Sequence, residues 1–118
     1  MNTILLVGAG GAIGSIFRYG LSLLVGLRSW PYATFTTNIV GCLFIGILFG
    51  LGLKQNVTDP YWKFAGIGIC GGFTTFSAFS LEGVELLQQQ RFGALFLYIS
   101  LSVTLGLCAT YLGYLIAK

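Results

Sequence analysis

The chain has 118 residues, of which 56% are hydrophobic and only 8% are charged, and its mean hydropathy is +0.90. In soluble domains about a quarter of all residues are charged, so this composition excludes an ordinary water-soluble fold. The net charge of +3 is small and spread along the chain, which disfavours nucleic acid as a partner.

Four segments are long and apolar enough to be membrane spans, because roughly 20 apolar residues cross about 30 Å of hydrocarbon. Their predicted bounds are residues 3–27, 32–53, 61–87 and 92–117. The first is interpreted as a retained span rather than a cleaved signal peptide, since three more spans follow it. We therefore predict an all-α, multi-pass cell-membrane protein, placed in the inner membrane if the organism is Gram-negative. One four-span domain should cover residues 1–118.

The predicted third span is interrupted near its middle by small and polar residues. Lipid cannot satisfy freed backbone groups, so a helix breaks at this depth only beside protein or a water-filled path. Broken membrane helices mark ion and substrate sites. Their free carbonyl oxygens are ligands for hard cations, although glycine also permits a tight helix crossing. The interrupting residues are Gly71, Gly72, Thr74, Thr75, Ser77 and Ser80.

Phe76 and Phe79 follow the break and share one helical face. The positive edge of an aromatic ring can contact a small anion without trapping it, while the alternative is a lipid-facing or core position. In the second span, Asn38 lies one turn after Thr34. Its carboxamide offers two donors suited to an anion or makes a hydrogen bond between helices. Both interpretations of Asn38 stay open at this point.

Further polar side chains lie within the predicted spans. The hydroxyls of Ser77 and Ser80 either donate to an anion or bond to a carbonyl of the preceding turn. Arg18 either attracts anions into a vestibule or extends to the lipid headgroups. Tyr98 and Ser102 share a face of the fourth span.

The charges near the span ends are balanced between the two sides of the membrane. Orientation normally follows an excess of Lys and Arg in cytoplasmic loops, and no excess exists here. Insertion in both orientations and an antiparallel dimer are expected, with chance among six charges as the alternative. The small-residue pairs Gly10/Gly14 and Gly46/Gly50 favour close helix contact. The two sets of charges are Lys54, Lys63 and Lys118 on the N-terminal side, and Arg18, Arg28 and Arg91 on the other.

The chain has no histidine, and its carboxylates are Asp59, Glu82 and Glu85. Histidine-based catalysis and most metal sites are therefore disfavoured, and we do not expect an enzyme. The three cysteines are far apart, which favours packing roles over a disulfide framework.

Three ordered motifs carry a resemblance to a known family. They are Gly10-x-x-x-Gly14-x-x-x-Arg18-Tyr19, Thr37-Asn38-x-x-Gly41 and Gly71-Gly72-x-Thr74-Thr75-Phe76-Ser77-x-Phe79-Ser80-x-Glu82. With these motifs the sequence resembles the Fluc (CrcB) fluoride channels of bacteria over its whole length. The resemblance implies an antiparallel, dual-topology homodimer with two fluoride pathways and passive fluoride export.

The resemblance also implies roles for particular residues. Phe76 and Phe79 would form an aromatic box, with Asn38 as the polar ligand beside it. Carbonyl groups of Gly71 and Thr74 from both protomers would hold a structural sodium ion at the dimer centre. The implied fluoride pathway comprises Arg18, Thr34, Asn38, Phe76, Ser77, Phe79, Ser80, Tyr98 and Ser102, with Glu82 on or beside it.

Two other functions remain as alternatives. A small four-span multidrug transporter is also a dual-topology dimer, but proton-coupled export of organic cations favours a carboxylate deep in the bundle. Glu82 and Glu85 instead lie toward the end of the third span. A membrane protein with a purely structural role would not need the polar residues of the spans.

Overall fold

The structure is a computed structural model that describes residues 3–26, 31–52 and 59–118. These residues form helices, and no strand occurs among them. Four helices have the length and hydropathy to cross a membrane, which confirms the predicted fold class. They are Thr3–Val25, Tyr32–Gly50, Trp62–Gln88, here called the third span, and Phe92–Ala117. The predicted helix ends at Leu27 and Leu53 and the charges Arg28 and Lys54 lie outside the described residues.

The first two helices, α1 (Thr3–Val25) and α2 (Tyr32–Gly50), end earlier than predicted because a glycine follows each of them closely. Gly26 has φ of 75° and Gly52 has φ of 83°. This left-handed conformation is the usual C-terminal stop of a helix. The predicted spans were longer than these helices because apolar residues continue beyond each glycine in the sequence.

The third span is broken where the sequence predicts it. A π-helix, Trp62–Cys70, leads into the short α3, Gly71–Phe73. Thr74 and Thr75 are extended, with ψ of 155° and 125°, before α4 begins. The second half is α4, Phe76–Gln88. The π-helix was not predicted, and such segments occur often at functional sites.

The last helix, α5 (Phe92–Ala117), has the predicted bounds. A tight turn joins α4 to it, with the amide of Arg91 bonded to the carbonyl of Leu86 at 3.0 Å. The amide of Gln90 bonds to the carbonyl of Leu87 at 3.0 Å. This is the Schellman arrangement, and Gln90 occupies its left-handed position with φ of 58°.

Two parallel helix pairs are packed through glycine. A Cβ atom on Gly14 would overlap the carbonyl of Ile69, and one on Gly72 would lie 2.5 Å from the carbonyl oxygen of Gly11. In the other pair, a Cβ atom on Gly46 would overlap the backbone of Thr110 in α5. The predicted close contacts of the glycine pairs therefore exist, but they lie within one protomer. They do not by themselves argue for a dimer.

Candidate functional site

Asn38 of α2 contacts the break in the third span through its carboxamide. Its Nδ2 donates to the carbonyl of Thr75 at 3.0 Å, and its Oδ1 accepts from the amide of Thr75 at 2.9 Å. The interhelical hydrogen bond considered for Asn38 is therefore present. The carboxamide has a second N–H, so this contact leaves one donor of Asn38 for another ligand.

The contact with Asn38 determines which carbonyl groups are free at the break. In a continuous helix the amide of Thr75 would bond to the carbonyl of Gly71, but here it bonds to Asn38. Among the described residues, no hydrogen bond reaches the carbonyl oxygen of Gly71 or Thr74. The break thus leaves backbone oxygens of the kind that bind a hard cation.

The neighbouring carbonyl of Gly72 has partners from α1. The Nε atom of Arg18 donates to it at 3.2 Å, and the hydroxyl of Ser15 lies at 3.5 Å. Arg18 therefore extends inward to the break rather than only toward headgroups. A guanidinium has five N–H donors, so others remain on Arg18.

Three aromatic rings form a continuous row beside the break. The ring centroids of Phe76 and Phe79 are 5.7 Å apart, and those of Phe79 and Tyr98 are 4.9 Å apart. Both pairs are tilted, as expected for rings whose edges and faces attract. Phe76 is 78% exposed, whereas Tyr98 is fully buried, so the row extends from the protomer surface into its interior.

Glu82 lies at the inner end of this row with both carboxylate oxygens engaged. The hydroxyl of Tyr98 donates to Oε1 at 3.0 Å, and the hydroxyl of Thr34 donates to Oε2 at 3.0 Å. Thr34 is 8% exposed. The two hydrogen bonds fix the orientation of the Glu82 carboxylate and of the Tyr98 ring.

Two cavities lie on either side of Thr75. The first, of about 290 Å³, is bounded by residues of α2 and the third span. The second, of about 110 Å³, is bounded by α1, α2 and the start of α4. Their polar lining residues are Asn38, Thr74 and Thr75 in the first cavity and Arg18, Tyr19, Ser22, Thr34, Thr37 and Thr75 in the second.

The remaining predicted site residues differ in their surroundings. The hydroxyl of Ser77 is 3.1 Å from that of Thr75, and Ser80 lies exposed on α4. Ser102, one turn after Tyr98, has a buried hydroxyl with no hydrogen-bond partner among the described residues. A buried hydroxyl without a partner is costly, so Ser102 has an unused donor for an ion or water.

Thr75 and Thr37 belong to the site but received no role from the sequence. The Oγ1 of Thr75 accepts from the amide of Ala78 at 3.2 Å and so caps α4. Thr37 is only 1% exposed and lines the second cavity. The capping pattern Thr75-Phe76-Ser77-Ala78 could have identified Thr75, since threonine before a helical segment is a common start signal.

Comparisons with known proteins match nearly the whole chain. The family model described as "CrcB-like protein, Camphor Resistance (CrcB)" matches residues 5–114. This chain belongs to the CrcB family.

Curated relatives of this family member are named "Fluoride-specific ion channel FluC". One from Flavobacterium psychrophilum is 53% identical, over all of this chain and 98% of the relative. One from Azobacteroides pseudotrichonymphae is 45% identical with the same coverage. One from Caulobacter vibrioides is 42% identical, over all of this chain and 97% of the relative.

Proposed function

We propose that this CrcB-family protein is a fluoride-specific channel of the cell membrane that lets accumulated fluoride leave the cytoplasm passively. The names of relatives that match its full length support this function. The observation that carries it is the broken third span, where Asn38 contacts the break and the Phe76–Phe79 pair follows it. Relatives named as channels also argue against an enzyme. A single channel domain over residues 1–118 is part of the proposal.

The chemistry of the site suits a small, strongly hydrated anion. Such an ion must exchange water donors for protein donors and still be able to leave. Arg18, which lines the second cavity together with Thr34, would receive it. The edges of Phe76 and Phe79, the second N–H of Asn38 and the unpartnered hydroxyl of Ser102 would follow. Ser77, Ser80 and Tyr98 complete the proposed pathway.

A second copy of the chain completes the proposed channel. Phe76 is 78% exposed, and a Cβ atom on Gly71 would meet nothing within 4 Å. A second copy that covers the break would bring these exposed site residues inside the channel. The balanced charges near the span ends favour an antiparallel homodimer with two pathways. Cysteine tags at the C-terminus should then react from both sides of the membrane, and added lysines in one loop should bias them to one side.

A sodium ion at the dimer centre is the further element of the proposal. The described residues contain no cluster of three acidic, cysteine or histidine side chains for a metal, so backbone carbonyls are the available ligands. Those of Gly71 and Thr74 have no donor among the described residues, and they fit a monovalent hard cation. When bound, the ion would neutralise converging carbonyl dipoles from two subunits. Removing sodium should lower dimer stability in detergent.

The hydrogen bonds of Glu82 disfavour the multidrug-transporter alternative. Both of its oxygens accept hydrogen bonds from Tyr98 and Thr34, so this carboxylate is not a free partner for an organic cation. The relatives' names also favour the channel.

Efflux from liposomes that contain only the purified protein tests the proposal. Fluoride should leave, while chloride and a quaternary ammonium ion should not. Phe76→Ile and Phe79→Ile should each suppress fluoride efflux because an aliphatic side chain lacks the positive ring edge. Phe96→Ile, at a residue of α5 that is 73% exposed, is the matched control. Wild-type efflux from the Phe76→Ile/Phe79→Ile double variant would remove the rings from the mechanism.

A further inference from the structure

A groove on the outside of the protomer runs between the start of α1 and the start of the third span. Its volume is about 410 Å³. Its apolar walls are open to the surroundings, with Ile4 75% exposed and Ile67 39% exposed. A Cβ atom on Gly8 would meet nothing within 4 Å, so the groove continues over this glycine. The residues that line it are Thr3, Ile4, Val7, Gly8, Lys63 and Ile67.

Among the described residues that line this groove, Lys63 is the charged one. It is only 9% exposed, and no hydrogen bond or ion pair joins its ammonium group to another described residue. Asp59, one turn earlier, forms no ion pair with it. The Oδ1 atom of Asp59 instead accepts from the amides of Tyr61 at 2.9 Å and Trp62 at 3.5 Å. The stem of Lys63 is buried, but its ammonium group is not among the buried polar atoms and so reaches the surface, where it is available to an external anion.

The surroundings of Lys63 place that anion at the edge of the membrane. The aromatic residues Tyr61 and Trp62 directly precede Lys63, and Tyr61 is 73% exposed, as is typical of the membrane–water interface. The third span runs parallel to α1, so both helices begin at this end of the groove. The N-terminus of α1 adds the positive end of its dipole.

We propose that this groove binds a membrane phospholipid, with its phosphate paired to Lys63. One acyl chain would lie along Val7, over Gly8 and against Ile67, where the groove is apolar and open. An anionic lipid is the favoured occupant because the groove offers the ammonium group of Lys63, which forms no ion pair with a described residue. The site is independent of the proposed fluoride pathway, since none of its lining residues belongs to that pathway.

Lipid binding to the delipidated full-length protein in neutral detergent tests this site. The probes are dioleoyl phosphatidylglycerol, dioleoyl phosphatidylcholine and inorganic phosphate, read out by native mass spectrometry and by the thermal unfolding midpoint. We expect phosphatidylglycerol to be retained and to raise the midpoint more than phosphatidylcholine. Inorganic phosphate, which has no acyl chain, should have little effect.

Two variants distinguish the contribution of the Lys63 charge to lipid binding from the contribution of the apolar groove. Lys63→Met should weaken phosphatidylglycerol binding by about tenfold, the effect of losing one hydrogen bond to a charged group. Gly8→Leu keeps Lys63 but fills the groove, and it should also abolish retention. Lys118→Met removes the same charge from an exposed residue and should bind lipid as the wild type does.

Several results would overturn the proposal. Unchanged lipid retention in Gly8→Leu would exclude the groove, even if Lys63→Met failed to fold. An equal stabilisation by inorganic phosphate would indicate a site for soluble anions. A change from dimer to monomer in Gly8→Leu would show that the groove is a contact between subunits.

Discussion

The carboxamide of Asn38 bonds to both backbone groups of Thr75, at 3.0 Å and 2.9 Å, and so replaces the helical partner that the Thr75 amide would otherwise have. One side chain of α2 thereby fixes the break in another helix. The same contact leaves the carbonyl of Gly71 without a donor among the described residues. Asn38 thus links the geometry of the proposed anion pathway to that of the proposed cation site.

Replacing Asn38 should therefore reduce both stability and fluoride efflux. In Asn38→Ala, the amide of Thr75 loses its partner, at about 1–3 kcal/mol for a group left unsatisfied, while its carbonyl, as that of the cap residue, still accepts the first bond of α4. Asn38→Asp keeps an acceptor for the Thr75 amide but sets a carboxylate oxygen against the Thr75 carbonyl in place of a donor, so it should be destabilised at least as much. Thermal unfolding in detergent and liposome efflux measure the two effects.

Thr36→Ala is the matched control for the Asn38 variants. Thr36 lies on the same helix and lines an apolar surface cavity with Phe17, Val40 and Phe73. It should keep wild-type stability and efflux. If Asn38→Ala lost efflux at unchanged stability, Asn38 would be an ion ligand without a structural role at the break.

The packing of α1 against the third span gives a second prediction. Gly14→Ala should destabilise the protein by about 1–3 kcal/mol or more, because the new Cβ atom would overlap the carbonyl of Ile69 and lie 2.7 Å from the amide of Phe73. Gly20→Ala on the same helix has no atom within 4 Å of its Cβ. It should stabilise α1 by about 0.5–1 kcal/mol. Denaturant unfolding in mixed micelles compares the two, and equal effects would contradict the packing.

The sequence predicted the four spans and the break because each depends on local composition. Long apolar runs mark the spans, and paired glycines followed by threonines mark the break. The position of the break could be predicted without knowing which residue contacts it. The pair of hydrogen bonds between Asn38 and Thr75, here called the Asn38–Thr75 clamp, could not be predicted. That clamp joins residues separated by 37 positions, and periodicity gives no information on such pairs. The sequence pattern could therefore leave both interpretations of Asn38 open, but could not decide between them.

Other features escaped prediction for related reasons. The π-helix at Trp62–Cys70 has an apolar composition that an α-helix would share. The hydrogen bonds of Glu82 require α2, α4 and α5 to meet at one place. The helix ends before Gly26 and Gly52 depend on left-handed backbone, and the chain has 18 glycines, most of which serve other purposes.

Tyr98 and Glu82 should be energetically coupled. Tyr98→Phe keeps the ring contact with Phe79 but removes the donor to a charged carboxylate, which should cost about 1.5–3 kcal/mol of stability. In a Glu82→Gln background the acceptor is neutral, so the same change should cost less. A double-mutant cycle of unfolding free energies should give a coupling of about 1 kcal/mol. Tyr111→Phe, at a residue that is 62% exposed, should be neutral, and a coupling near zero would contradict the hydrogen bond.

The turn between α4 and α5 offers a stabilising substitution. Gln90 has φ of 58° in the left-handed position of the Schellman turn, where a side chain costs roughly 1 kcal/mol relative to glycine. Gln90→Gly should therefore raise the unfolding midpoint without altering fluoride efflux. Gln89→Gly, one residue earlier with φ of −78°, is the control and should not stabilise the protein. A lower midpoint for Gln90→Gly would contradict the turn geometry.

A substitution at Gly71 can distinguish an effect on protomer folding from an effect on formation of the proposed dimer. Gly71 has ordinary helical backbone, with φ of −63° and ψ of −35°, and open space around its Cβ position. Gly71→Leu should therefore leave the protomer folded. In the proposed dimer, however, the added side chain would lie among the carbonyls shared by two subunits. Fluoride efflux and the dimer fraction measured by cross-linking should both fall.

Thr74→Ala should have a smaller effect than Gly71→Leu at the same proposed site. The hydroxyl of Thr74 donates back to the carbonyl of Cys70 at 2.9 Å, so its loss leaves the backbone carbonyl of residue 74 in place. Gly93→Leu on α5 is the steric control, because a Cβ atom there also meets nothing within 4 Å and the residue lies far from the break in sequence. A fully dimeric, active Gly71→Leu variant would place Gly71 away from any subunit contact. The dimer-centred cation site would then lose its proposed ligands, while the clamp between Asn38 and Thr75 would be unaffected.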